Sequence, residues 1–274
     1  MAANDLTTLP DVKAWLGRTD SNSDALLAAL ITRTSRQVYS HLQRPTILPH
    51  AVSEMRDGTG TNALVLKQWP VVAVSSVTVG PVSIPQAPAL LGAGWSCEQW
   101  DGIPPGRPQT LSLRGYVFGC SFPGARNTAN VLVVYRAGYQ VVAEPQTVNA
   151  GTAIVNAPYG AWACDSGVTY ANGTPLELVS GTPGSGQYQL AASPGTYNFN
   201  SADNGAAVLI GYGYVPFDLA DACIELVGER YKYAERIGEK THSLGGNETV
   251  SFDNSRFTPL IAAMLQPYRN IIPA

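Results

Sequence analysis

Two stretches far apart in this chain read almost alike. Val131-Leu-Val-Val-Tyr-Arg-Ala-Gly-Tyr139 and Ala207-Val-Leu-Ile-Gly-Tyr-Gly-Tyr214 are both strand-like apolar runs that end in a Gly-Tyr pair. Apolar alternation that breaks at glycine is how a half-buried strand reads. Only the second run continues, through Val215-Pro216-Phe217-Asp218, into a long helical pattern. Composition shifts between the two. From Val141 to Gly213 there is no Lys or Arg, and the acids are Glu144, Asp165, Glu177 and Asp203, so this segment holds the negative balance of a chain with net charge −3. A domain opened at a strand end, with a second domain inserted, accounts for both features. Residues 1–140 and 214–274 then form a core, and 141–213 an inserted all-β domain.

The core reads as helical at both ends. Thr8 can cap a short helix, with Pro10 in its first turn and Gly17 at its end. Ser21-Asn-Ser-Asp24 opens a second helix in capping-box style, whose stripe is Leu27, Leu30, Ile31, Thr34, Val38 and Leu42. Leu219, Ala222, Cys223, Leu226, Val227, Ala234 and Ile237 form the stripe of a later helix that Gly238 stops. Thr241 to Asn254 is polar and reads as a linker. Thr258 and Pro259 then open a short apolar helix that needs something to dock on.

Between the helical ends the period is two. Val52–Arg56 and Ala63–Leu66 flank Asp57-Gly-Thr-Gly60, which predicts a hairpin. Val71–Val79 and Val131–Tyr135 predict strands. In the insert, Gly167–Tyr170, Leu176–Val179, Gln187–Leu190, Thr196–Phe199 and Ala207–Ile210 alternate with glycine-rich turns, which suggests a small sandwich or barrel. The expected fold class is therefore α+β: a core of long helices with a hairpin or sheet, carrying the inserted all-β domain.

Little in the sequence points to chemistry. His41, His50 and His242 have no metal-ligating neighbour at ligand spacing, and Cys97, Cys120, Cys164 and Cys223 make no CxxC pair. Gly181-Thr-Pro-Gly-Ser-Gly186 lacks the Lys and helix of a phosphate loop and reads as a hairpin turn. Asp218 and Asp221 open a helix, where its dipole favours them. No catalytic residue, cofactor or metal is expected, and no apolar run is long enough to span a membrane. The acidic balance argues against general nucleic-acid binding. Arg33, Arg36, Arg230, Lys232 and Arg236 remain a candidate basic face for a channel or partner. Trp95, Trp100, Trp162, Tyr159 and Tyr170 either fill small β cores or bind sugars or partner proteins.

The order of pieces is informative. A capped short helix precedes a longer one ending in Arg44-Pro45. Then come Asp57–Gly60, the run Trp69-Pro-Val-Val-Ala-Val-Ser-Ser-Val-Thr-Val79, and Val131–Tyr139. Val215–Gly238 and Ser251–Arg269, with its Pro267-Tyr-Arg269 end, complete the series. This order resembles the head–tail connector (adaptor, or neck) proteins of tailed bacteriophages. The resemblance implies a structural, non-enzymatic virion protein assembled in the host cytoplasm, in a ring, commonly a dodecamer, beneath the portal. Its partners would be the portal protein, further copies of itself and the next neck or tail protein (terminator or stopper). Double-stranded DNA would pass through the ring without sequence-specific binding. Residues 241–274 become a portal-docking arm carrying Phe252, Phe257, Leu260, Ile261, Met264, Leu265, Tyr268 and Arg269. The insert looks like a β module of phage structural proteins and is expected to project outward from the ring. The alternative reading is a carbohydrate- or surface-binding decoration protein.

Overall fold

The structure is a computed structural model that describes residues 4–88, 92–97, 109–119, 129–233, 241–244, 248–251 and 257–270. It opens with helices α1 (Leu9–Trp15) and α2 (Asp24–Leu42). Strands follow: β1 (His50–Arg56), β2 (Ala63–Val65), β3 (Val71–Val79), β4 (Val82–Ile84), β5 (Gly94–Cys97), β6 (Thr110–Arg114) and β7 (Val131–Ala137). The strand series continues with β8 (Gln140–Thr147), β9 (Thr152–Ile154), β10 (Gly160–Tyr170), β11 (Glu177–Leu178), β12 (Gln187–Leu190), β13 (Thr196–Phe199) and β14 (Ala207–Pro216). Helix α3 (Phe217–Tyr233), the strands β15 (Thr241–Leu244) and β16 (Glu248–Ser251), and helix α4 (Pro259–Leu265) close it.

The chain divides into two compact units, Met1–Pro45 with Val215–Asn270, and Thr46–Tyr214. Residues 46–140 thus group with 141–213. The expected α+β chain built on a helical core is corrected here: strand exceeds helix, 38% to 26%. The reason lies in the middle of the sequence. From Thr46 to Tyr214 apolar residues come in short alternating runs cut by Gly, Pro and Asn, too short to propagate a helix but well matched to strands.

In the helical unit, α2 packs on α3, and α3 on α1 and α4. Thr8 caps α1 as expected, its hydroxyl accepting from the Asp11 N–H at 3.3 Å. The capping box of α2 does not form: Ser23 is the cap residue but its hydroxyl meets Tyr231 Oη at 3.1 Å and makes no capping bond, and Asp24 instead pairs with Lys13 Nζ at 2.8 Å. Leu27, Ile31, Thr34, Val38 and Leu42 are buried, while Leu30 is half-buried. They face the Leu219, Ala222, Cys223, Leu226 and Val227 stripe of α3; Ala234, Ile237 and Gly238 lie outside the described residues. Thr241–Asn254 is not a bare linker: β15 and β16 pair antiparallel, Thr241 opposite Ser251.

The strand-rich unit begins with a four-stranded sheet, β1-β7-β3-β4, and a three-stranded one, β2-β6-β5. One apolar core joins them, with Val77, Val131, Val133 and Tyr135 from the first and Leu64, Trp95, Leu111 and Leu113 from the second. The expected hairpin between β1 and β2 is absent, because the two strands belong to different sheets. Asp57-Gly-Thr-Gly60 is held elsewhere: Asp57 Oδ1 accepts from Ala129 N, Gly58 N donates to Asn130 Oδ1, and Gly60 N donates to Phe118 O, each at 2.7 Å.

The remaining strands form sheets β10-β14-β8 and β11-β12-β13-β9. β14 is central to the first and buried at every residue from Ile210 to Pro216, as a strand covered on both faces should be. β11 and β12 run parallel, so Gly181–Gly186 is a crossing loop and not a hairpin turn.

Candidate functional site

The segment without cations solves its charge problem with phenols. Buried Glu144 accepts from Tyr212 Oη on one oxygen, and from Asn156 N at 2.6 Å and Gln146 Nε2 at 2.8 Å on the other. Asp165 accepts from Tyr188 Oη at 2.6 Å and Tyr197 Oη at 3.3 Å, while Trp162 Nε1 donates to Tyr197 Oη at 3.1 Å. Buried Asp203 accepts from Tyr170 Oη at 2.7 Å. Glu54 on β1 repeats the device with Tyr135 Oη at 2.6 Å, but adds Arg56 at 3.1 Å. Burial, reinforced by the adjoining carboxylates, pushes the phenols of Tyr135, Tyr188 and Tyr212 well above their ordinary range. These pairs satisfy buried charge. Glu144, Asp165 and Glu54 are each held by several donors, and Asp203 by one phenol with its Oδ2 buried and unpaired among the described residues, so the arrangement reads as one of structure.

The surface of the helical unit is different. α1, α3 and α4 line an open cleft of about 800 Å3 with Trp15, Arg18, Glu225, Tyr231, Lys232 and Ile261 among its walls. Trp15 is 63% exposed. The Arg18 guanidinium lies 5.4 Å from the Tyr231 ring centre, donates to its hydroxyl and pairs with Asp20 at 3.1 Å. Gly228 has Trp15 and Leu16 as its nearest packing neighbours, so α1 sits close on α3. The sequence reading missed Trp15. Its signal was an aromatic at the end of a short capped helix, off the side that buries Val12.

The anticipated docking residues are folded onto the helical unit. Ile261 and Leu265 are buried and Met264 is half-buried, whereas Leu260 is 61% exposed and Arg269 is exposed. The Phe257 ring lies 4.7 Å from His41, Tyr268 Oη donates to Asp218 Oδ2 at 3.2 Å, and Asn270 N donates to Leu42 O at 2.8 Å. Phe252 lies outside the described residues.

The basic candidates are only partly brought together. Arg33 and Arg36 are exposed on α2, and Arg230 of α3 donates across to Gln37 of α2. Lys232 lies two residues, about 200°, further round α3 and lines the cleft instead. Arg236 lies outside the described residues.

The aromatics of the β segments are largely internal. Trp95 is buried, Trp162 is tied to Tyr197, Tyr170 to Asp203, and Tyr159 packs 6.0 Å from Tyr214. Trp100 and Cys120 lie outside the described residues. Cys223 is fully buried, its Sγ 3.6 Å from Ser35 Oγ, and burial pushes its thiol up to about 12. His50 Nδ1 sits 2.9 Å from Leu48 O.

Among the described residues, no three metal-ligating side chains converge, and no helix is long and apolar enough to cross a membrane. A scan against protein-family models finds no match to this chain, and a search of curated proteins finds none.

Proposed function

We propose that this chain is a structural head–tail connector subunit of a tailed phage. It forms a ring beneath the portal, extends the DNA channel and carries the next neck or tail protein. One observation bears most of the weight. Three of the resembling segments, Leu26–Pro45, Val215–Gly238 and Ser251–Arg269, are far apart in sequence, yet their described parts share one helical unit. There α2 packs on α3, α4 packs on α3, and Asn270 closes the end of α2. Packing together in one unit is what helical pieces of a common module require, while Asp57–Gly60, Trp69–Val79 and Val131–Tyr139 belong to the strand-rich unit. The same unit leaves Trp15 and Leu260 exposed, as a surface that docks on a portal needs.

Copy number per virion tests the reading. Quantitative mass spectrometry of purified particles, referenced to the major capsid protein, should give about a dozen copies, the count of one closed ring at the neck. Hundreds of copies would move the chain to the capsid surface or the tail tube. Absence from the particle would overturn the structural role.

A further inference from the structure

The outer face of sheet β2-β6-β5 carries a hollow that the connector reading leaves without a purpose. The register sets Ala63 opposite Ser112 on one side and Ser96 opposite Ser112 on the other. Three small residues therefore sit side by side across the sheet, on the face away from buried Leu64, Leu111 and Leu113. Ser96 and Ser112 give it a low floor. Thr61, Asn62, Arg114, Tyr116 and Val117 line the rest of this open hollow of about 850 Å3.

What distinguishes the hollow is its unused polarity. Several described cations are already engaged: Lys13 with Asp24, Arg18 with Asp20, Arg56 with Glu54, Arg230 with Gln37. Among the described residues, the side chains of Asn62, Ser96, Ser112, Arg114 and Tyr116 form no hydrogen bond or ion pair. Among the described residues, no acid lines the hollow. Tyr116, at 36% exposure, offers a ring face at the rim. Hydroxyls and an amide that can both donate and accept, one guanidinium without a carboxylate, and an aromatic plane form a consistent set. Each finds its complement in one kind of molecule.

We infer that this hollow binds an acidic saccharide. The sugar carboxylate pairs with Arg114 in forked geometry, ring hydroxyls bond to Asn62, Ser96 and Ser112, and one sugar face lies against Tyr116. The site stands apart from the connector reading, since it uses residues of the strand-rich unit alone.

Calorimetric titration of the full chain tests it, with oligogalacturonate as the probe, maltooligosaccharide as its neutral counterpart and inorganic phosphate as a bare anion. Oligogalacturonate should bind at millimolar concentration or tighter, and maltooligosaccharide at least about tenfold more weakly, since one charged bidentate pair distinguishes them. Arg114→Gln should abolish that preference. Ser112→Leu, which fills the floor from an outward-facing position, should abolish binding with an unchanged circular dichroism spectrum. Arg114→Gln, at an exposed site, keeps the test valid if Ser112→Leu misfolds. Failure of oligogalacturonate to bind, or binding unaltered by Arg114→Gln, would overturn the site. Equal binding of phosphate alone would overturn the saccharide assignment.

Discussion

Tyr214 donates its backbone N–H to the carbonyl of Tyr139 at 3.1 Å, and the two rings meet edge to face with centres 5.7 Å apart. The residues that end the two near-identical runs are thus direct neighbours. Trp69, 6.4 Å from Tyr139, and Tyr159, 6.0 Å from Tyr214, extend the cluster. Both tyrosines are buried, and the Tyr214 hydroxyl makes no hydrogen bond among the described residues. Its contribution is therefore one of packing. Tyr214→Ala should destabilise the protein by about 3–5 kcal/mol, the usual cost of emptying an aromatic site. Tyr214→Phe should cost less than about 1 kcal/mol, because no bond is broken. Guanidinium denaturation of the two variants checks the contrast; equal losses would show that the hydroxyl matters.

The glycines before those tyrosines explain why the pair recurs. A Cβ on Gly138 would lie 2.4 Å from Leu48 O, and one on Gly213 would lie 2.5 Å from Pro49 Cδ and 2.6 Å from Cys164 Sγ. The Leu48-Pro49 segment passes against both. Gly138 also holds φ +134°, a conformation that L side chains resist. Gly138→Ala and Gly213→Ala should each destabilise by about 1–3 kcal/mol, the range for overpacking. Gly181→Ala, where a Cβ meets open space, should stay within about 0.5 kcal/mol of the parent. Thermal melts of the three variants give the comparison.

How much of this was legible in the sequence depended on whether the signal was local. Thr8 and Thr258 cap helices as read, because a cap needs only residues a few positions away. Val71–Val79, β12 and β13 follow from alternation alone, whereas β8, β9 and most of β10 were not read. Strand pairing did not. Asp57-Gly-Thr-Gly60 looks like a hairpin turn, yet its partners are Phe118, Ala129 and Asn130, which no nearby pattern announces. The fold class went astray for the same reason: strong helical stripes at the two ends stood out over many short strands between them. The phenol–carboxylate pairs were not visible. The absence of Lys and Arg from 141–213 was read only as the mark of an insert, and nothing local announced that Tyr170, Tyr188 and Tyr212 pair with its acids. The hollow around Ser112 depends on cross-strand register, which the reading of 80–128 could not reach.

Alkaline pH should weaken both units, first through thiols and then through phenols. Burial raises Cys223 from 9.0 to about 12 in the folded chain. Burial and the neighbouring carboxylates raise Tyr135, Tyr188 and Tyr212 above their ordinary 10.0. A group whose folded value lies above its unfolded one contributes full stability while both states hold the proton. That contribution is lost as pH rises from the unfolded value toward the folded one, because the unfolded chain ionises first. Both units should therefore begin to lose stability above pH 9.0, the helical unit through Cys223 and the strand-rich unit through Cys164, whose thiol burial also raises, with the phenols adding to the loss above 10.0. Denaturation midpoints measured across this range should fall with pH. Cys223→Ala should shrink the earlier part of the decline, leaving the share due to Cys164, while lowering overall stability through the cavity it leaves. A flat profile in the parent protein would show that these groups ionise without unfolding it.

Neighbouring residues on α4 separate stability from docking. Ile261 is 1% exposed and Leu265 is fully buried, so both belong to the core of the helical unit. Leu260, one position along, is 61% exposed and faces no such core. Ile261→Ala should destabilise by about 2–5 kcal/mol, as core truncations do. Leu260→Ser should change stability by less than about 0.5 kcal/mol, as exposed substitutions do. Under the connector proposal, Leu260→Ser combined with Trp15→Ser should still weaken binding to purified portal rings, because each removes exposed apolar area that only a partner can cover. Denaturation and a portal pull-down on the same preparations read the two effects separately. A stable double variant that binds portal at full strength would mean that α1 and α4 are not the docking face. The virion copy number would then decide whether the connector role survives with another surface in contact.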